Sequence, residues 1–265
     1  LEWSSVGESL GFYSPGRNPD GSSESYKHHI SSKGIGVLGI KYQKGSIAAQ
    51  SWNYVAEGIF ATNFTELKGS IPVDADKRLL YGVQGFYQQA VGNGGNVVPA
   101  KAYTLPDEKT HGMGLRTGLE WENSELTANF LYISDEGRFL FPREWGREKF
   151  FVSMQRERFE GMGGVHAFGI NYDKTFIHDK LKMSFGASHV QTPGLENLTL
   201  NKYGLPNYFH FIGLIDYRFD GYFKGLDLQL LVAHKNEDSA REIPLEYVIN
   251  RVNMTNVNLI LDYRF

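Results

Sequence analysis

Read backwards from its C-terminus, the chain alternates. In Val257–Phe265 the odd positions are Val257, Leu259, Leu261, Tyr263 and Phe265, and the even positions are Asn258, Ile260, Asp262 and Arg264. A period of two puts one set on each face of a strand, so one face is apolar and the other mostly polar. The earlier segment Ile215–Phe219, IDYRF, is echoed by Leu261–Phe265, LDYRF. There Phe209, Phe211, Ile215, Tyr217 and Phe219 share one parity, against His210, Asp216 and Arg218. Two strands with the same ending are expected to run the same way and finish at the same interface. Asp216, Arg218, Asp262 and Arg264 are then expected to form a charge-paired ring at that end.

The pattern continues upstream. Leu226, Leu228, Leu230 and Val232 alternate with Asp227 and Gln229, and Leu181, Met183 and Phe185 with Lys182, Ser184 and Gly186. Leu126, Ala128, Phe130 and Tyr132 form one face of another strand; Met113, Leu115, Leu119 and Trp121 oppose Arg116 and Glu120 in the one before it. Leu79, Tyr81, Val83 and Tyr87 alternate with Gln84 and Gln88, and further strands are predicted near Leu38–Tyr42, Ile47–Tyr54 and Phe60–Leu67. Short connections fall near Lys44–Ser46, Lys68–Lys77, Glu122–Glu125, Lys174–Lys180 and Asp220–Gly225. Long ones fall near Gly92–His111, Asp135–Met162, Gln191–Asn207 and Asn236–Arg251. Sorting loops by length in register with strand direction is what periplasmic turns and extracellular loops produce, and a soluble sandwich has no cause to do so.

The pattern therefore predicts an all-β, transmembrane antiparallel barrel of about eleven strands, with the residues before Ser31 offering a twelfth. Residues 1–30 read as irregular or incomplete and 31–265 as strands, all in one barrel domain. The longest apolar runs, such as Gly34–Ile40, fall far short of the ~20 residues of a membrane helix. A membrane chain without such helices must satisfy its backbone between strands. The terminal Phe265, with Tyr263, resembles the signal by which barrel assembly machinery recognises its substrates. These readings place the chain in a Gram-negative outer membrane with its C-terminus on the periplasmic side.

Composition narrows the chemistry. The net charge of −3 gives no reason to expect nucleic acid, and the absence of cysteine excludes disulfides and thiolate metal sites. Fifteen Tyr and eighteen Phe suit aromatic belts at two membrane interfaces, so they need no cofactor. His28 and His29 lack a second ligand pair, and no metal is expected.

The stretch KGSIAAQSWNYVAEGIFATNFTELKGSIPVDADKRLLYGVQGFYQQ, Lys44–Gln89, resembles the OprD family of outer-membrane porins, which carry a similar succession of a Trp-x-Tyr strand, short turns and a Gly-aromatic strand ending in glutamines. The ending FKGLDLQLLVAHKNED…NLILDYRF resembles that family's last hairpin, and FPREWGREKFF, Phe141–Phe151, a loop of some members. The resemblance implies a barrel of roughly 18 strands and roughly 400 residues that passes small solutes through a constriction. The chain is too short for that, so it is expected to match the C-terminal part of such a protein; a smaller complete barrel is the alternative.

Function would then reside in lumen charge. The segment Asp135–Met162 carries Arg138, Arg143, Arg147, Lys149, Arg156 and Arg158 among glutamates. It is expected to fold inward, with Arg143, Arg147, Arg156 and Arg158 attracting anionic solutes; a solvated loop pairing its own charges or touching lipopolysaccharide is the plainer alternative. On the strands, Arg116, Glu120, Lys182, Gln84 and Gln88 are the pore-lining candidates. The expectation is a porin-type channel for passive diffusion of small polar or anionic solutes. A structural barrel in a larger envelope complex is the alternative; no nucleophile–base pair supports a barrel enzyme. Partners expected are membrane lipid and lipopolysaccharide, the solute, and the assembly machinery, with a homotrimer or larger complex left open.

Overall fold

The computed structural model describes residues 2–4, 16–18, 21–26, 28–176, 180–238 and 252–264. Twelve strands lie in chain order in one sheet, each hydrogen-bonded to the next and antiparallel wherever they pair. They are β1 (Glu2–Ser4), β2 (Ile35–Lys44), β3 (Ile47–Ala56), β4 (Phe60–Pro72), β5 (Lys77–Ala90) and β6 (Lys109–Trp121). The second half is β7 (Ser124–Ile133), β8 (Val165–Phe176), β9 (Leu181–Gln191), β10 (Tyr208–Arg218), β11 (Leu226–Glu237) and β12 (Met254–Tyr263). Eleven are full strands; β1 is a three-residue piece on β2, a strand in a stretch the pattern left irregular.

Apart from a hydrogen-bonded polar cluster of Ser51, Asn53, Asn63 and Thr65 on β3 and β4, register makes one face apolar. Leu38, Val83, Leu115, Leu126, Phe168, Phe185, Phe211, Val232 and Leu259 all lie on it, and each is exposed. A sheet that exposes such a face to water would be insoluble, whereas in lipid that face is satisfied. Strands of 10 to 14 residues, tilted as barrel strands are, match an apolar band roughly 25 Å tall. The opposite face carries Glu66, Gln84, Gln88, Arg116, Asn129, Lys182, His210 and Gln229, as the alternation predicted.

Connections are short at one end (45–46, 73–76, 122–123, 177–180, 219–225). At the other they are long (91–108, 134–164, 192–207, 238–253), with one exception. The β3–β4 connection, Glu57–Ile59, sits at the long-loop end yet is a tight turn. Its Gly58 has φ +71, and the 91–108 loop packs so closely over it that a Cβ on Gly92 would lie 3.2 Å from the Gly58 Cα. The long loop at that site is supplied by the next connection.

Curvature follows from what a single loop touches. The 134–164 loop meets Tyr54 of β3 through Phe141 and Asn258 of β12 through Arg156. At about 4.8 Å per strand a flat sheet would separate β3 from β12 by roughly 43 Å, so the sheet must wrap around the loop. Two inner-face glycines make room for it. A Cβ on Gly82 would lie 2.7 Å from the Phe151 ring, and one on Gly186 would collide with the Met154 sulfur. The core therefore sits inside the curved sheet, where Phe86, Leu131, Phe139, Phe150, Phe159, Met162 and Tyr208 pack together.

Candidate functional site

The inward loop is fastened to the sheet at two places. On one side it behaves as an extra strand held by glutamine side chains. Gln88 accepts from the Leu140 N–H at 2.7 Å and donates to the Leu140 carbonyl at 2.7 Å. Gln84 accepts from the Phe151 N–H and donates to the Lys149 carbonyl, both at 2.9 Å. A primary amide offers the same donor and acceptor as a peptide, so it can mimic ladder pairing. Behind them, Gln84 donates to Glu66 and Gln88 to Thr62. Gln84 and Gln88 are thus buried under the loop that they hold and are not open to solvent.

On the far side the anchor is ionic. Glu157 accepts hydrogen bonds from Tyr208 Oη (2.7 Å) and Lys235 Nζ (2.9 Å), and faces His210 Nδ1 at 2.8 Å. Burial pushes its carboxyl up, but Lys235, His210 and Tyr208 outweigh that and hold it down at about 2. Lys235 was missed in the sequence although its parity with Asp227 and Gln229 placed it inward.

Between these anchors the loop walls a cavity of about 530 Å³, lined by Arg143, Arg147, Arg156, Arg158, Lys235 and Glu157, with Leu205, Leu231 and Met254 beneath. The four arginines singled out in the sequence are thereby brought together. Arg143 bonds Glu160 at 3.1 Å and lies 4.0 Å over the Tyr203 ring. The other three bond neutral acceptors: Arg147 the Met154 carbonyl, Arg158 the Gly146 carbonyl, and Arg156 the Asn258 side chain. Among the described residues none of these three forms an ion pair. With Glu157 already neutralised by Lys235, the cavity is left with an excess of positive charge.

A second cavity, about 300 Å³, lies on the other side of Arg147. Lys41, Lys149, Trp52, Tyr54, Phe64 and Phe141 line it, with Gln50, Phe139 and Glu148. Glu148 is half-buried with its carboxylate shielded, accepts from the Phe159 N–H, and has its carboxyl pushed up by desolvation to about 7.

Other candidates lie elsewhere. Arg116 is on the polar face but pairs with Glu125 and lies 5.9 Å from the Phe151 ring; Glu120 is exposed near the short-turn end. Lys182 pairs with Asp173 at 3.4 Å and lines a cavity of about 570 Å³ at that end, remote from the arginines. The expected ring is wired differently there. Arg264 does pair with Asp262 at 3.5 Å, but Arg218 and Arg264 also both reach Asp227 (3.6 and 3.9 Å), while Asp216 accepts from Gln229. Cross-strand register sets this, since Arg218 and Asp262 both face Asp227. Arg138 is no solute contact: it is buried and bonded to Glu24 and Glu108. Tyr263 is exposed on the apolar face; Phe265 lies outside the described residues, as does most of the expected loop at Asn236–Arg251.

No protein-family model and no curated protein matches the chain. Solved structures do. Acinetobacter baumannii OccAB4 superposes with a TM-score of 0.69 at 14% identity, over 94% of this chain and 56% of that one. Pseudomonas aeruginosa OccK10 (OpdN) gives 0.70 at 14%, over 90% and 62%. Pseudomonas aeruginosa OprD gives 0.68 at 16%, over 88% and 61%. The chain thus has the β-barrel fold of the OprD and Occ proteins, as its sequence resemblance implied, and spans about three-fifths of their length.

Proposed function

We propose that this chain forms the wall and constriction of an outer-membrane channel through which small polar or anionic solutes diffuse passively. The observation that carries the reading is the basic cavity between the inward loop and β11–β12. Three guanidinium groups that form no ion pair among the described residues, gathered on one cavity, attract anions and repel cations. The apolar outer face and the fold shared with OccAB4 and OprD support the location. By the loop lengths, the long loops face outward and the C-terminal strand ends on the periplasmic side. Tyr263 at that end is offered to the assembly machinery as part of its signal.

Solute selection follows from geometry. An anion entering the cavity meets arginine forks that bind carboxylate or phosphate in a bidentate manner. The strand residues Arg116 and Lys182 line the route as paired charges that hydrate it. The test is planar-bilayer conductance of the full-length protein in a salt gradient. Anion-selective reversal is expected, and Arg147→Ala, Arg156→Ala and Arg158→Ala combined should move the reversal potential toward zero. Unchanged ion preference in a folded triple variant would remove the arginines from the constriction; no conductance in the parent would favour a structural barrel.

A further inference from the structure

All four outward-facing histidines among the described residues lie at one end of the barrel. His111, His166, His189 and His234 sit on the apolar face of β6, β8, β9 and β11, each within the last few residues toward the long loops. Aromatics stand on that face at both ends, Tyr87, Tyr132 and Phe209 beside the histidines and Trp121, Tyr172, Tyr217 and Tyr263 at the short-turn end, which carries no histidine among the described residues. Aromatic belts at both ends need no histidine, so the asymmetry calls for a different headgroup chemistry at one interface.

Two of the four form a compact group. The Tyr132 ring lies between His111 (centroids 6.3 Å) and His166 (5.2 Å) on three successive strands. Tyr87 stands opposite His111 and Gln191 opposite His166, which extends the row of polar tips. Both histidines are exposed. The other two are engaged: His189 with Asp238 at 2.7 Å and His234 with Thr255 at 2.9 Å. The titratable neighbours are therefore Tyr87 and Tyr132 around the first pair and Asp238 on His189. Lys109 at the start of β6 is paired with Glu136.

We propose that His111, Tyr132 and His166 form a binding patch for a phosphate-bearing lipid of the outer leaflet, one that tightens as the imidazoles become charged. Imidazole and phenol tips just above an apolar face sit where lipid phosphates lie, and imidazolium makes charge-assisted hydrogen bonds to phosphate oxygens. The inference rests on the reading that the long loops face outward. It adds to that reading a lipid partner and a dependence on pH.

The experiment is native mass spectrometry of the full chain in detergent with bisphosphorylated lipid A and with its dephosphorylated form, at about pH 5.5 and about pH 7.5. The phosphorylated lipid should be retained roughly tenfold more at the lower pH, and the dephosphorylated lipid equally at both. His111→Gln with His166→Gln should abolish the difference, while His189→Gln, whose partner is Asp238, should not. If the double variant fails to give a heat-modifiable band, Tyr132→Phe and single His166→Gln should give graded loss. Wild-type pH dependence in the folded variants, or equal retention of the dephosphorylated lipid, would overturn the proposal. Two readouts separate it from the channel reading. Bilayer ion preference should not change in the histidine variants. Surface labelling of Val97→Cys in intact cells reports directly whether the long loops face outward.

Discussion

Glu157 of the inward loop and His210 of β10 meet at 2.8 Å, with neither side chain accessible to solvent. This carboxylate, with the Arg156–Asn258 hydrogen bond beside it, ties a loop of thirty-odd residues to the opposite side of the sheet, sharing its oxygens with Tyr208 and Lys235. The rim of the basic cavity depends on that tie, since Arg156 and Arg158 flank Glu157 in the chain.

Removing the carboxylate should release the rim. Glu157→Ala leaves Lys235 and His210 without an acceptor, and breaking a buried pair costs about 3–5 kcal/mol. We expect lower thermal stability in detergent together with noisier, larger conductance steps. Quiet wild-type steps in a destabilised variant would show that the loop is held elsewhere. The tie should also survive acid. A carboxyl depressed to about 2 contributes stability that is fully present above its unfolded pKa of about 4.3 and is lost progressively as pH falls from there through about 2. Conductance noise should therefore stay flat from neutral pH down to about pH 4.

The lipid-facing register offers an independent check. Leu115 and Arg116 are neighbours on β6 but point to opposite faces, Leu115 outward and Arg116 toward Phe151. Leu115→Arg should cost about 2–4 kcal/mol, as charge does near the bilayer midplane of a barrel. The measurement is reversible unfolding by denaturant in lipid vesicles. A cost near zero would mean that this face does not contact hydrocarbon.

How much of this was legible follows from what alternation encodes. Parity alone assigned Leu115 and Arg116, or Phe211 and His210, to their faces, because a strand's side-chain period leaves no other choice. Loop length located the 134–164 segment and its arginines. Parity could not say which inward residues remain open to solvent: Gln84 and Gln88 have the parity of lumen residues but are buried by loop residues that lie 52 to 67 positions further along the chain. Nor could it separate Arg138 from Arg143. The partners that bury Arg138, Glu24 and Glu108, lie 114 and 30 residues away.

Those partners predict coupling among loops. Glu24 bonds both Arg138 and Lys202 at 3.2 Å, and Lys202 is enclosed by the rings of Tyr26, Tyr103 and Tyr203 at 4.8, 5.0 and 5.4 Å. Burial alone would lower the Lys202 pKa, but Glu24 and the surrounding oxygens hold it well above the ordinary range, so the cation persists. Lys202→Ala and Arg138→Ala should each destabilise by about 3–5 kcal/mol. Because each single variant leaves Glu24 its other cation and only the double variant leaves it none, the double variant should cost more than the sum. Additive losses in thermal unfolding would refute a shared network.

Glu148 should behave in the opposite sense to Glu157. Its carboxyl is raised to about 7 by desolvation, with the Phe159 N–H, its own backbone N–H and the Arg158 charge opposing the shift. Between the unfolded value near 4.3 and the folded value, the native state holds a proton that the unfolded chain has released, so stability falls as pH rises through that window. Glu148→Gln removes the titration and keeps an acceptor for Phe159. It should match the parent at about pH 4.5 and exceed it by about 3 kcal/mol at about pH 8. Because Glu148 lies between Arg147 and Lys149 beside the second cavity, its ionisation also offsets the positive charge of the passage. The parent channel should accordingly prefer anions more strongly at about pH 5.5 than at about pH 8, and the variant should show the acidic preference at both. Reversal potentials measured across that range decide the matter: a parent whose ion preference does not move with pH leaves Glu148 as a packing residue without influence on the passage.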